Sequence, residues 1–284
     1  MINSVQHAAQ AIQNADALLI CAGAGMGVDS GLPDFRGNDG FWKAYPVVAK
    51  LGLSFSEIAN PLWFKRDPYL AWAFYGHRLQ LYRQTKPHAG FATLLNWAKA
   101  KPDGCFVFTS NVDGHFQKAG FDADVVVECH GSIHHFQCAE ECTDKIWPAP
   151  DEAVLVDAST FRAADPLPRC PHCGGLARPN ILMFNDYDWR PERSSQQEQA
   201  FEQWQRKLAV NKSKVVVIEM GAGTAIPTVR HTSQCVVKQS GGALIRINPR
   251  EPQVPAGQFG LAMGALAGIQ ELENHRAEHR LKTA

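Results

Sequence analysis

The chain carries no surplus of charge. Its 28 lysines and arginines are matched by 28 aspartates and glutamates, and no long run of either sign breaks the balance. That argues against a broad nucleic-acid footprint and against a basic patch for an anionic membrane. No apolar run reaches the roughly 20 residues of a membrane-spanning helix. The first apolar stretch, in "MINSVQHAAQAIQNADALLICAGAG", lacks the basic segment that opens a secretory signal. The expectation is a cytoplasmic protein with no nucleic-acid and no membrane partner. Internal repeats and low-complexity tracts are also missing, and the sequence leaves oligomeric state unknown.

What is present is ordinary in bulk and specific in pattern. At 284 residues and 45% apolar content, a core is within reach for one large domain or two modest ones. Five short apolar runs read as buried strands: "ALLICAG", "CFVFTSN", "DVVVECHG", "KVVVIEMG" and "ALIRINP". Helical spacing lies between several of them. Residues 87–101 place Phe91, Leu94, Leu95 and Ala98 on one face, and residues 196–210 do the same with Phe201, Trp204 and Leu208. Strands alternating with helices predict an α/β fold with a parallel sheet, whose ligands sit beyond the carboxyl ends of the strands. Two stretches break the alternation. Residues 41–85 are rich in aromatics, and residues 137–173 read as loops; both are expected to be insertions that form a smaller module.

Eight cysteines divide into two groups. Cys21, Cys105, Cys129 and Cys235 stand singly in apolar segments, as buried thiols do. Cys138, Cys142, Cys170 and Cys173 form C-x3-C, then 27 residues, then C-x2-C. In a reducing compartment, two close pairs point to metal before disulfide, and four thiolates close a tetrahedral zinc site with no open position. Such a zinc is structural. His134, His135 and His172 are near enough in sequence to replace one ligand, and accidental clustering of buried thiols is the bland alternative.

The first strand ends in "CAGAGMGVDSGLPDFRG". Gly23, Gly25 and Gly27 after a strand allow a backbone to pass close to a pyrophosphate, although an isolated match is equally well a tight turn. No acidic residue closes a second strand about twenty positions later, so a dehydrogenase-type unit is not supported. Instead, Asp34, Phe35 and Arg36 follow: an acid, an aromatic plate and a phosphate-reaching fork. Polar side chains also crowd two other strand ends, with Asn111, Asp113 and His115 after one and His130 after the next. Taken alone, His130 is more often a strand-end hydrogen bonder than a catalyst.

Together these segments resemble the sirtuin family, NAD-dependent protein deacylases with a Rossmann-like domain and a small zinc module. The matching pieces are "GAGMGVDSGLPDFRG", "TSNVDGHFQKAG", "CHGS", the cysteine pairs, "CPHCGGLARPNILMF", "MGAGT" and "RINP", in family order from residue 18 to about 250. The chain looks like a divergent, bacterial-like member. The resemblance implies a discontinuous Rossmann-like domain over 1–40, 86–134 and 176–284. It implies a small domain made of a helical insertion, 41–85, and a zinc-binding insertion, 135–175.

The family's roles carry over residue by residue. Gly23, Ala24, Gly25 and Arg36 resemble its pyrophosphate contacts, with Asp34 beside them, and Phe35 resembles the shield of the nicotinamide ribose. Ser110, Asn111 and Asp113 fall where it holds the ribose and the carboxamide. Gly221, Gly223, Thr224 and Asn248 fall on the adenosine side, and His130 matches its general base. The implied activity is removal of an acyl group from a lysine of a protein or peptide, with transfer to ADP-ribose and release of nicotinamide. Using the same site for protein ADP-ribosylation is the alternative, and a non-catalytic NAD or ADP-ribose module a more remote one.

Departures from the family's pattern are specific. Ser110 replaces a usual Gln, Gly27 a Ser and Ala22 a Thr. Phe184-Asn185-Asp186 replaces Phe-Gly-Glu, where Asn185 is expected to narrow the substrate groove, and Arg250 takes the place of an acid with Glu251 one position later. The aromatics from Trp63 to Tyr75 are read as core rather than as the lining of an acyl tunnel.

Overall fold

In the central strand every residue from Ala17 to Ala22 is buried, so neither of its faces meets water. The surrounding fold follows from that. A computed structural model describes residues 2–33, 37–149 and 151–283. Helix α1 (Ile2–Asn14) leads into β1 (Ala17–Ala22) and the single-turn α2 (Gly25–Val28). Four short helices follow, α3 (Gly37–Ala44), α4 (Pro46–Lys50), α5 (Phe55–Ile58) and α6 (Leu62–Arg66), then α7 (Pro68–Gln84) and α8 (Ala89–Lys99). Next come β2 (Cys105–Thr109), the one-turn α9 (His115–Lys118) and β3 (Val126–Glu128). Five strands outside the main sheet are β4 (Gly131–Cys138), β5 (Trp147–Pro148), β6 (Val156–Asp157), β7 (Arg162–Ala163) and β8 (Ala177–Ile181). The chain then forms α10 (Glu192–Asn211), β9 (Val215–Met220), α11 (Thr228–Ser240), β10 (Ala243–Ile247), β11 (Phe259–Leu261) and α12 (Ala265–Thr283).

The main sheet has six strands in the order β11-β10-β9-β1-β2-β3, all parallel. Alternation along β1 divides its side chains between two cores. Leu18, Ile20 and Ala22 join Ile12, Phe91, Leu94, Trp97, Ile269 and Leu272 from α1, α8 and α12. Ala17, Leu19 and Cys21 join Phe201, Leu208, Val229 and Val236 from α10 and α11. Each fully buried Leu or Ile of this kind contributes on the order of 1.5–3 kcal/mol, which is why the five apolar runs cannot settle anywhere else. All five expected strands form; β11, a short edge strand with a glycine at its centre, was not foreseen.

The helix expected over 87–101 is shorter, because His88 caps α8 by accepting the Gly90 N–H at 3.0 Å. The one expected over 196–210 is longer, running from Glu192 until Lys212 takes a left-handed φ of 54°. Among the described residues, no helix is long and apolar enough to cross a membrane.

A third core joins the two stretches that broke the pattern. Phe41, Val48, Phe64, Trp72, Phe74 and Tyr75 pack with Phe136, Ala149, Val154, Phe161, Leu167 and Ala177. Helix α7 is enclosed nearly all round, and Gly76 lets Val154 approach where a Cβ would stand 2.6 Å from it.

Strand β4 leaves the main sheet immediately after His130 and pairs antiparallel with β8. The departure point is Gly131, at φ +77°, where a Cβ would fall 2.0 Å from the Asn180 carbonyl oxygen. Gly131→Ala therefore combines a left-handed strain with a backbone clash. It should cost about 2–4 kcal/mol of stability, read as a lower urea midpoint at unchanged slope; a midpoint equal to wild type would contradict the geometry.

Candidate active site

The chain builds outward from β1 through β2 to β3, then returns to the other side of β1 with β9. Ligands of open parallel sheets bind where the order reverses, beyond the carboxyl ends of the strands. Here two glycine turns meet at that point. Gly23 N donates to Met220 O at 3.0 Å and Gly25 N donates to Gly221 O at 3.0 Å. Gly221 adopts φ +61°, and a Cβ on it would lie 2.4 Å from the Gly25 carbonyl carbon; one on Gly23 would lie 2.8 Å from Ala222 Cα. Only bare backbone fits on either side.

A cavity of about 680 Å³ opens over these turns. Gly23, Ala24, Ser110, Asn111, Asp113, His130, Gly221, Gly223 and Thr224 all line it. Gly25 and Asn248 do not. Gly25 is buried at the start of α2. Asn248 is fully buried, donates to Ala222 O at 2.8 Å and accepts the N–H groups of Arg250 and Glu251 at 3.0 Å each, so it braces the wall from behind. Asp34, Phe35 and Arg36 lie outside the described residues.

Asn111 ties two strand ends together. Its Nδ2 donates to Gly23 O at 3.0 Å, and its backbone N–H donates to Thr109 Oγ1 at 3.0 Å. Asp113 is almost completely buried and accepts the His115 N–H at 2.9 Å. Burial pushes the His130 imidazole below its usual 6.5, and a hydrogen bond to the Ser110 backbone only partly opposes the shift. The ring is thus uncharged at neutral pH, the state in which it can accept a proton. His115 belongs to the core, 1% exposed and 5.9 Å from the Phe91 ring. His134 holds the loop from behind, its Nε2 donating to Asp113 O at 2.9 Å.

The departures have local causes. A side chain at Gly27 would press on Leu32 Cδ1 at 2.9 Å, so Gly27 and Leu32 are matched. Ser110 keeps the backbone role of its position, its N–H donating to Ala22 O at 3.1 Å. Asn185 takes a left-handed φ of 55°, which Asn tolerates better than most residues with a side chain. The turn it sits in is held by Asp186, whose carboxylate pairs with Arg178 in full burial and accepts Met183 N at 3.2 Å and Asp188 N at 3.3 Å. Glu251 accepts from Thr224 N at 3.1 Å and Thr224 Oγ1 at 2.6 Å, so the carboxylate displaced by one position still reaches the loop.

The cavity also reaches α7, where Tyr75, expected to be core alone, turns out to line it as well, and where Arg78 and Tyr82 carried no expectation. Tyr75, Arg78 and Tyr82 of α7 line it. Arg78 is 6% exposed and donates to Tyr82 Oη at 3.1 and 2.8 Å, and the buried Tyr75 hydroxyl has no hydrogen-bond partner among the described residues. The available signal was one arginine inside an otherwise aromatic and aliphatic helix, "AWAFYGHRLQLY".

The four cysteines of the second insertion converge, their Sγ atoms all within 4.8 Å of one another. Cys138–Cys173 and Cys142–Cys170 are 3.8 and 3.7 Å apart. A tetrahedron with zinc–sulfur bonds of ~2.3 Å has sulfur–sulfur edges of about 3.8 Å, so the donor set fits zinc without help from a histidine. Cys138→Ser should leave well under one zinc per chain by elemental analysis and lower the melting temperature; full zinc content in that variant would exclude this site.

The Sir2 family model matches residues 23–217. The chain is similar to the NAD-dependent protein deacylase of Thermococcus kodakarensis, 32% identical over 245 residues that span 85% of this chain and 83% of that protein. It is also similar to NAD-dependent protein deacylase 1 of Archaeoglobus fulgidus, 30% identical over 91% of this chain and 92% of that one. A Sir2 homologue solved in complex with NAD has the same fold, with TM-score 0.67 and 26% identity over 95% of this chain and 93% of its own.

Proposed function

This chain belongs to the Sir2 family, and we propose that the switch-point cavity is the active site of an NAD-dependent protein deacylase. One observation carries the reading: Asn111, Asp113 and His130, from the ends of β2 and β3, line one cavity with the paired glycine turns of β1 and β9. Bound there, NAD supplies an electrophilic ribose carbon with nicotinamide as its leaving group. The residues of this chain do the rest. Gly23, Ala24 and Gly221 present main chain carrying no more than a methyl group to a pyrophosphate, with Gly223 and Thr224 toward the adenosine. Asn111 and Asp113, fixed by their bonds to Gly23 O and His115 N, orient the ribose and the carboxamide. His130 accepts a proton from a ribose hydroxyl at a ring nitrogen, and its burial keeps it ready to do so.

Zinc held by Cys138, Cys142, Cys170 and Cys173 has no open position and serves to fold the second insertion. We assign 41–85 and 135–175 to one small domain on the strength of their shared core. The substrate is an acyl-lysine in a protein or peptide, laid along the turn that Asp186 and Arg178 hold. The site of action is the cytoplasm, where reduced thiols keep zinc bound.

His130→Ala should reduce acyl-group removal by about 10²–10⁴-fold while NAD binding persists. In the wild type, kcat/KM should be flat from pH 8 to 7 and fall on acidification with a midpoint below 6.5, because burial disfavours the imidazolium. A midpoint above 6.5 would remove His130 from the role.

Arg78 and Tyr75 favour a particular acyl chain. A buried guanidinium and an unpartnered hydroxyl in a largely apolar cavity suit an acyl group that ends in a carboxylate. Across a peptide panel, a succinyl-lysine should be removed with higher kcat/KM than an acetyl-lysine, and Arg78→Met should reverse the order. Equal rates on both in the wild type would overturn this preference.

A further inference from the structure

A second cavity, of about 720 Å³, lies on the reverse side of the Asn111–Gly114 loop, between β3, β4 and the first turns of α10. It shares no lining residue with the first. His134 stands between the two, lining this cavity while its Nε2 donates to Asp113 O. The deacylase reading has no use for it.

Its polar groups are only half satisfied. Glu128 is 2% exposed at its side chain; Oε2 accepts from Arg193 Nη2 at 2.5 Å. The other carboxylate oxygen, Oε1, makes no hydrogen bond of good geometry among the described residues, the Ser132 hydroxyl reaching the carboxylate only as a weak bond that partly opposes the upward push of burial on its pKa. Arg193 Nη1 and His135 Nδ1 are likewise buried and unpartnered. All three side chains line the cavity. A buried polar atom left without a partner costs about 1–3 kcal/mol, and native proteins rarely collect three in one place without a reason.

The chemistry of a complementary group follows. Glu128 and Arg193 neutralise each other, and burial lowers the pKa of both His134 and His135, that of His135 to about 4. Only Asp124, exposed at the rim, adds charge. An ion entering the pair would thus leave one charge uncompensated. A neutral group that accepts from Arg193 and donates to Glu128 at once does not.

We propose that this cavity is a second ligand site, which takes a neutral primary carboxamide with its carbonyl oxygen on Arg193 Nη1 and its N–H on Glu128 Oε1. Peptide-borne glutamine or asparagine and small free amides share that chemistry.

The test is calorimetry and crystal soaking of the full chain with benzamide, benzoate and benzylammonium. Benzamide should lie between Glu128 and Arg193, bind at least 10-fold more tightly than either ion, and lose at least 10-fold in affinity in Arg193→Met and Glu128→Gln. Those two variants do not line the first cavity, so benzamide captured there would keep its affinity in both, which would overturn the proposal. Ordered water alone at the pair, or preference for benzoate or benzylammonium, would also overturn it. Circular dichroism and melting of both variants establish that they fold; if Arg193→Met does not, Arg193→Lys serves in its place, with the same loss expected.

Discussion

Two turns that meet through glycine backbone organise this molecule. Gly23 and Gly25 after β1 and Gly221 after β9 meet backbone to backbone, with Gly25 N on Gly221 O. Any Cβ at Gly221 would enter the peptide of the opposing turn. The contact closes the sheet at its point of reversal and leaves main-chain groups at the carboxyl ends of the strands, the arrangement on which the proposed pyrophosphate contact rests. Asn248 locks the arrangement by joining Ala222 to the Arg250–Glu251 segment. Because Asn111 Nδ2 donates to Gly23 O, the neighbouring strand end is registered against the same turn.

From there the site is assembled by strand ends rather than by one loop. β2 delivers Asn111 and Asp113. His130 lies two residues past the end of β3, and Gly131, bent at φ +77°, diverts the chain into β4 and the second insertion. That single bend leaves His130, our proposed general base, at the cavity and starts the path to the zinc cysteines. The buried Arg178–Asp186 pair returns the chain from β8 to the substrate side. A lone charge there would be costly, so the pair defines the turn geometrically even if its net contribution to stability is small.

Legibility in the sequence followed physical locality. The five strands were readable because runs buried on both faces are continuously apolar, and the cysteine quartet because two close pairs carry their own geometry. Three-residue β11 was not, since a short edge strand with a central glycine leaves no periodic trace. Arg78 and Tyr75 were hidden for a different reason: α7 is enclosed almost all round, and its pattern does not reveal which part faces a cavity rather than a core. His115 drew notice by its position and proved to be core. Asn185, expected to narrow the groove, is accounted for by a left-handed backbone that only coordinates reveal. Asn248 was assigned to the cofactor by likeness of motif; its side chain is buried against Ala222 and the Arg250–Glu251 segment and does not line the cavity. The second cavity was invisible, since Glu128 and Arg193 are 65 positions apart.

The central claim is that these strand ends carry out acyl removal coupled to NAD cleavage. It is tested most directly by following one reaction by mass, with NAD, an acyl-lysine peptide and this protein. The account predicts one nicotinamide released for each acyl group lost from the peptide, with the acyl group recovered on ADP-ribose and acyl loss slowed by about 10²–10⁴-fold in His130→Ala. Nicotinamide release with the acyl group still on the peptide, and ADP-ribose attached to a protein side chain, would contradict it.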